Sequence, residues 1–268
     1  MNLKKHKPIT PGSRGHISIN YKKENISTEK PIKKLVKGWS KTGGRNSNGQ
    51  IASYHRGGGH KKLYREIDFK RDLQDKTGYI IRTEYDPNRS SYISLVAFSD
   101  GSLKYMIRPH GLNKDDEIIS SKKENTPIKV GNSLPLMNVP IGTIIHNIEI
   151  TPGKGGQYAR SAGCYAKVIK KENGKTLLRL NSGRQIEISS SCFCTIGYVS
   201  KKEHRNCQIG KAGRSRWLSR KPVVRGVVMN PVDHPHGGGE GKTSGGRCSV
   251  TPWGIPTKGY KTKRKKKK

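Results

Sequence analysis

Between residues 79 and 199, apolar and polar positions change places every one or two residues, in short runs broken by Gly, Pro, Asn and Asp. That period is the pattern of half-buried strands. Residues 79–85 and 91–99 flank a turn at Asp86, Pro87 and Asn88. Asp100-Gly101 supplies two residues suited to positive φ, which predicts a tight hairpin, and Leu103, Tyr105 and Ile107 alternate beyond it. These runs predict a three-strand meander. Residues 63–71 precede it as a further strand, with Leu63, Arg65, Ile67 and Phe69 on one side and Tyr64, Glu66 and Asp68 on the other. Together they predict a small closed barrel.

A polar stretch at 113–125 reads as a linker, and a second set of runs follows it. It comprises 127–130, then 144–150 with Ile144, Ile148 and Ile150 sharing a face with His146. Next come 164–171, a hairpin of 177–180 with 184–188 across Asn181, Ser182 and Gly183, and finally 193–199. About five strands match the size of an SH3-like barrel. Helix is scarce: residues 209–220 are the best candidate, lined by Lys211, Arg214, Arg216, Arg220 and Lys221. The predicted fold class is mainly β.

Charge changes this picture at both ends. The chain of 268 residues carries 54 Lys and Arg against 19 Asp and Glu, a formal net charge of +35. Such a field suits a polyanionic partner and gives no advantage to an enzyme of small molecules. Residues 63–199 hold 20 basic and 14 acidic side chains, whereas 1–62 net +13 and 200–268 net +16. Of the 53 Ile, Leu, Val and Phe residues, 31 lie between 79 and 199. A folded middle between two polycationic arms follows, with both arms expected to be mobile without their partner because neither can bury much apolar surface. From Met229 onward Gly and Pro recur so often that no packed core is expected. Five Cys without a CxxC pair, and no apolar segment behind Met1, predict a reducing compartment. No apolar run approaches membrane-spanning length, so no membrane partner is expected. The basic N-terminal stretch is interrupted by Pro8, Pro11 and Gly12, which argues against an amphipathic transit peptide.

Three glycine clusters stand beside cations: YHRGGGHKK (54–62), TPGKGGQYAR (151–160) and DHPHGGGEGK (233–242). Glycine lets backbone lie against a phosphate ribbon, its N–H groups donate, and nearby Lys and Arg neutralise charge. The plainer reading, flexible loops, would suit one such cluster better than three. GEGKT resembles the end of a nucleotide-binding loop, but the glycine required six residues before Lys242 is replaced by His236, and no helix can open after it. Asp233, His234 and Lys242 supply the alternative function, an autonomous enzyme acting on phosphorylated substrates. Adjacent Asp233 and His234 are poorly spaced for a dyad, and no nucleophile accompanies them. Zinc is weighed through His234, His236, Cys192, Cys194, Cys207 and Cys248, which lack structural-zinc spacing. No metal and no cofactor is expected. Trp39, Trp217 and Trp253 sit in polar surroundings, which favours stacking on bases over burial. The terminal KTKRKKKK (261–268) reads as an RNA-penetrating tail.

GRNSNGQIASYHRGGGHKKLYREIDFKR (44–71), EYDPNRSSYISLV (84–96), HNIEITPGKGGQYARSAG (146–163), IGKAGRSRW (209–217) and RGVVMNPVDHPHGGGEGK with TPWG (225–254) resemble the L-two family of the large ribosomal subunit, bacterial or plastid type. PIKVGNSLPL (127–136) and RKPVVRGVVMNP (220–231) look closest to plastid members. The excess of Lys over Arg, 36 to 18, suits an AT-rich organellar genome and an AT-rich bacterium equally. The ending after Gly254 is shorter and richer in Lys than the family pattern, and 117–126 runs slightly longer.

The resemblance implies a basic N-terminal extension (1–40), an OB-fold RNA-binding domain (41–120), an SH3-like barrel (121–200) and a basic Gly/Pro-rich C-terminal extension (201–268). It implies no enzyme but a structural constituent and primary binder of large-subunit ribosomal RNA. Other ribosomal proteins, the small subunit across the subunit interface and nearby transfer RNA are its further partners. The implied place is a plastid ribosome in the stroma, or alternatively the bacterial cytoplasm. The expected RNA contacts are His55, Arg56, Gly57, Gly58, Gly59, His60, Lys61, Lys62, Arg65, Arg71 and Arg89 from the first half, with Lys154 and Arg160 from the second barrel. Lys211, Arg214, Arg216, Trp217, Arg225, Asn230, His234, His236, Gly237, Gly238, Gly239, Lys242, Arg247 and Trp253 complete the set. Asp233 and His234 are expected to support the peptidyl-transferase centre without catalysing, since RNA carries that chemistry. No catalytic residue is expected.

Overall fold

The structure is a computed structural model that describes residues 2–259. The predicted tail at 261–268 lies outside the described residues. The described chain falls into two compact units: one runs up to Lys41 and includes His60–Ser215, and the other joins Thr42–Gly59 to the chain from Arg216 onward.

In the first unit, β1 (Leu3–Lys5) pairs antiparallel with β2 (Ile17–Ile19) around the short helix α1 (Pro11–Arg14). Pro11 opens that helix at a position whose N–H would have no helical partner, and Ser13 Oγ accepts from Thr10 N–H at 2.9 Å. The arm is packed against the rest of this unit. Ile19 is buried, Ile17 bridges to Gln208, and Ser27 N–H donates to Thr83 O at 2.8 Å. Lys201 lies under the rings of Tyr21, Tyr85 and Tyr92 at 5.7, 5.9 and 5.1 Å, a cation–π clasp that ties the arm to the barrel.

β3 (Val36–Gly38) pairs with β4 (Leu63–Arg65). β5 (Thr77–Glu84), β6 (Ile93–Phe98), β7 (Leu103–Ile107) and β8 (Glu117–Ile119) form an antiparallel sheet in the order β7-β6-β5-β8. Ile80, Val96, Phe98, Met106, Leu112 and Ile118 pack on one side, and Ile93, Leu95 and Tyr105 on the other. Both faces of this OB-type sheet are therefore covered. The strand expected over 63–71 stops at Arg65, leaving one further bridge from Ile67 to Tyr105. Asp68 Oδ1 accepts from the N–H groups of Lys70 and Arg71 and turns the chain away.

β9 (Ser133–Pro135), β10 (Ile144–His146), β11 (Ala166–Glu172), β12 (Lys175–Leu180), β13 (Gln185–Ser189) and β14 (Phe193–Ile196) form the SH3-like barrel in the order β13-β12-β11-β10-β14-β9. Leu134, Leu136, Val139, Ile145, Ile148, Ala166, Val168, Leu178, Cys192 and Cys194 are in its core. The expected strand at 127–130 is displaced to β9. The expected shared face of Ile144, Ile148, Ile150 and His146 is also wrong: Ile145, His146 and Ile148 are buried, whereas Ile144 and Ile150 are exposed. Asn147 takes φ +47, which ends β10 and resets the alternation.

The two glycine hairpins share one construction. Gly101 N–H donates to Phe98 O, with Phe98 N–H donating to Ser102 O. Gly183 and Leu180 repeat both bonds with Leu180 and Arg184. Each glycine alone takes positive φ, +78 and +84, so Asp100 does not share that role as expected. A third hairpin, Asn173-Gly174 between β11 and β12, was not singled out in sequence although Asn-Gly is its ordinary signal.

In the second unit order comes from turns. Gly44 O accepts from both Ala52 and Ser53 N–H at 2.9 Å, and Asn46 Oδ1 accepts from Asn48 and Gln50 N–H. Thr251 N–H donates to Ile255 O and Thr257 N–H to Ser249 O, making a small hairpin closed by the bridge of Val250 to Pro256. After Met229 the described chain buries Val250 and His234 singly, and neither belongs to a packed apolar cluster. The helix expected at 209–220 shrinks to α2 (Ala212–Trp217), beyond which Ser219 takes φ +65.

Candidate nucleic-acid interface

The first glycine cluster is braced by a distant part of the chain. Gly57 N–H donates to Ser219 O at 3.1 Å, Lys221 N–H to His55 O at 3.0 Å, and Ser219 Oγ to Gly58 O at 2.8 Å. A Cβ on Gly59 would lie 2.4 Å from Ser219 Oγ and 2.6 Å from Trp217 O, so a side chain is excluded by the protein itself. His55 Nδ1 lies 2.9 Å from Pro222 O, and the Arg56 side chain is exposed beside it. In the first unit His60 and Lys61 are exposed, Lys62 Nζ donates to Pro87 O at 2.9 Å, and an Arg65 guanidinium N–H reaches Leu63 O.

The second cluster departs most from expectation. Its N–H groups do not face outward. The buried Glu149 carboxylate accepts from Gly153 N–H at 3.2 Å, Gly155 N–H at 2.9 Å and Phe193 N–H at 3.0 Å. An internal carboxylate thus takes the role assigned to phosphate, and three donors compensate its burial. Lys154 remains exposed on the loop. Next to it, the Arg160 and Arg89 guanidinium groups lie 4.6 and 5.8 Å from the centre of the Phe69 ring. Arg89 is further fixed by the buried Asp86, whose Oδ2 accepts from its Nε at 2.6 Å. Of the two, Arg160 is exposed and free to meet phosphate, whereas the Arg89 side chain is only 16% exposed and is committed to Asp86, which corrects its expected RNA contact. Phe69 was missed as a candidate; its place inside DFKR was the available signal.

Arg71 is a correction. It is 6% exposed, its Nε donates to Ser120 Oγ at 3.0 Å and its Nη2 to Gly131 O at 2.7 Å, with Met106 Sδ against Nη1. Burial pulls its pKa down to about 10. This guanidinium serves the interior and is not offered to RNA.

In the third cluster the His234 ring is buried against Gly226, and its Nδ1 accepts from His236 N–H at 3.0 Å. The expected direct contact from His234 is therefore corrected to bracing of its own loop. Val250 N–H donates to His236 Nε2 at 3.3 Å. A Cβ on Gly237 would lie 2.2 Å from Asn230 O, so this glycine also answers to its own chain. Gly238 and Gly239 take φ +98 and +85. Arg225, Asn230, Asp233, Lys242, Arg247 and Trp253 are exposed on this unit, as are Arg216 and Trp217. Lys211 is exposed and Arg214 half-buried on the first unit, where an Arg214 Nη donates to Ile209 O at 3.1 Å. Cys192 and Cys194 belong to the SH3-like core, where burial raises both thiols, that of Cys192 to about 11.

An OB-type barrel and an SH3-like barrel, each small and antiparallel, with braced glycine loops that present exposed cations, define a nucleic-acid-binding protein of the scaffold class. The comparisons agree with this class and narrow it. Residues 32–120 match the family described as Ribosomal Proteins L2, RNA binding N-terminal domain, and residues 129–254 match Ribosomal Proteins L2, C-terminal domain. The large ribosomal subunit protein uL2 of Rhodospirillum rubrum is 53% identical, over 100% of this chain and 94% of its own length. Its namesake from Parvibaculum lavamentivorans is 52% identical over 99% of this chain and 94% of its own length. The chain belongs to the ribosomal protein L2 family.

Proposed function

We propose that this structural ribosomal protein holds large-subunit RNA through three braced loops, with the exposed Arg160 over the Phe69 ring of the first unit as one anchor. The observation that carries the reading is the direction of the loops' own bonds. Backbone donors are consumed internally, by Glu149 and by the 217–222 segment, while the cations beside them remain exposed. The loops are preorganised by the protein, and recognition falls to Lys and Arg. Residues 225–242 carry Arg225, Asp233 and Lys242 on a loop stiffened by His234. On this reading that loop reaches toward the peptidyl-transferase centre and supports transfer-RNA placement and subunit joining without catalysing. The enzymatic alternative through Asp233, His234 and Lys242 loses support because the His234 ring is buried and bonded to its own loop. The division into 1–40, 41–120, 121–200 and 201–268 is kept as a reading of the chain's linear order. The bacterial source of both relatives favours a bacterial-type ribosome in the cytoplasm over the plastid stroma.

Sedimentation of the tagged protein from fractionated cells, with sequencing of the RNA that travels with it, tests both place and partner. Association with large-subunit RNA is expected, and recovery in RNA-free fractions overturns the reading. With about eight phosphates neutralised, log K should fall with log salt at a slope near −6 to −7. A flat dependence rejects the electrostatic anchor.

A further inference from the structure

In the second unit two large aromatic rings stand where a folded protein has no use for them. Trp253 is 70% exposed and Tyr54 50% exposed, yet they are neighbours, with ring centres 6.1 Å apart and planes at 67°. Neither ring is on a slack segment. Trp253 sits at the tip of the small hairpin closed by Thr251 N–H to Ile255 O and Gly254 N–H to Thr251 O. Tyr54 follows directly on the turn whose Ala52 and Ser53 N–H groups converge on Gly44 O. Ring planes at this angle make a corner and leave the two faces unstacked on each other. The corner is set in a strongly cationic unit: the described residues 42–59 and 216–259 hold nine Lys and Arg against two acidic residues. Arg56 is exposed two positions from Tyr54 and is held by a backbone bridge to Arg220.

We infer that Tyr54 and Trp253 form a stacking corner for one unpaired RNA base, with Arg56 and Arg220 beside it on the adjoining phosphates. This rests on RNA binding by the chain. A cationic ligand is excluded by charge. A planar, neutral base on an anionic strand fits both the exposed π faces and the field around them. The corner reads no base edge by hydrogen bonding, so it accepts any unstacked base.

The test uses the full chain with Trp39→Phe and Trp217→Phe, which leaves Trp253 as the sole tryptophan. A short, unstructured, dye-labelled oligouridylate is titrated while its anisotropy and Trp253 emission are followed together. The expected result is quenching of Trp253 in step with binding. Tyr54→Leu and Trp253→Leu should each weaken binding about 5- to 150-fold, with the salt slope unchanged because no phosphate contact is removed. Tyr54→Phe and Trp253→Phe should keep most of the affinity, which separates stacking from misfolding of a Leu variant. Binding without quenching, or Leu variants that bind as the parent does, overturns the corner while leaving RNA binding intact. No rise in anisotropy even at low salt overturns RNA binding, and the corner with it.

Discussion

The two barrels and the glycine-rich second unit are ordered by different means. In the barrels, apolar side chains alternate into closed cores: Ile145, Val168 and Leu178 are wholly buried, and hydrophobic burial holds the strands. In the second unit the large apolar residues mostly face out: Val223 is 74% exposed, Val228 64% and Val232 91%. There the chain is shaped by backbone bonds, by positive-φ glycines and by two buried groups, His234 and Val250. A region without a core can still be given one path, provided its turns are closed locally. Such a region has little burial to lose, and its stability is expected to lean on its polyanionic partner.

Several substitutions break or sharpen this contrast. The largest effect is expected in the SH3-like core, where Ile145→Ala should cost about 2–5 kcal/mol in urea unfolding followed by circular dichroism. A loss under about 1 kcal/mol would mean that the barrel is not held by its core. Next comes His146, buried with Nδ1 2.9 Å from Gly197 O and with its pKa pushed down to about 4 by burial, despite that bond. Its unfolded value is near 6.5, so between these values the unfolded chain binds the proton and the native barrel does not. Stability should therefore fall as pH drops from about 6.5 to 4, by roughly 3 kcal/mol in total from this group. His146→Gln should flatten that part of the pH dependence, and an unchanged profile would reject the assignment.

Glu149→Gln is expected to cost about 1.5–3 kcal/mol near neutral pH, since three backbone donors lose a charged acceptor. Hydrogen exchange at Gly153, Gly155 and Phe193 should quicken with it, and unchanged exchange there would remove the carboxylate from its role in the loop. Smallest of all, Val232→Ala should change unfolding by no more than about 0.5 kcal/mol, because its side chain is nearly all in solvent. A cost comparable to that of Ile145→Ala would show that the second unit has a core after all.

Much of the barrel architecture was legible because strand period and turn chemistry are local. Residues 91–99 and 184–188 lie within one or two positions of β6 and β13, and the Gly183 turn is where Asn-Ser-Gly placed it. The errors fall where one backbone angle overrides a pattern, as at Asn147, or where a side-chain cap ends a strand early, as Asp68 does. For the interface, residue type was readable and direction was not. Arg71 and Arg160 look alike in a basic sequence, yet one guanidinium lies inside and the other lies over Phe69.

The sequence alone determined that this is a β-rich, strongly cationic chain with two strand clusters, three glycine loops and a nucleic-acid partner, because charge, period and turn residues act over a few positions. Only the tertiary structure decided what those loops close upon. Glu149 lies within the same sequence neighbourhood as its loop, but Phe193 does not, and the partners of Gly57 and Gly59 lie some 160 residues further along the chain. A glycine that makes room for RNA and one that makes room for a distant carbonyl have the same local sequence. Which it is depends on long-range packing, where a Cβ would meet another part of the same chain.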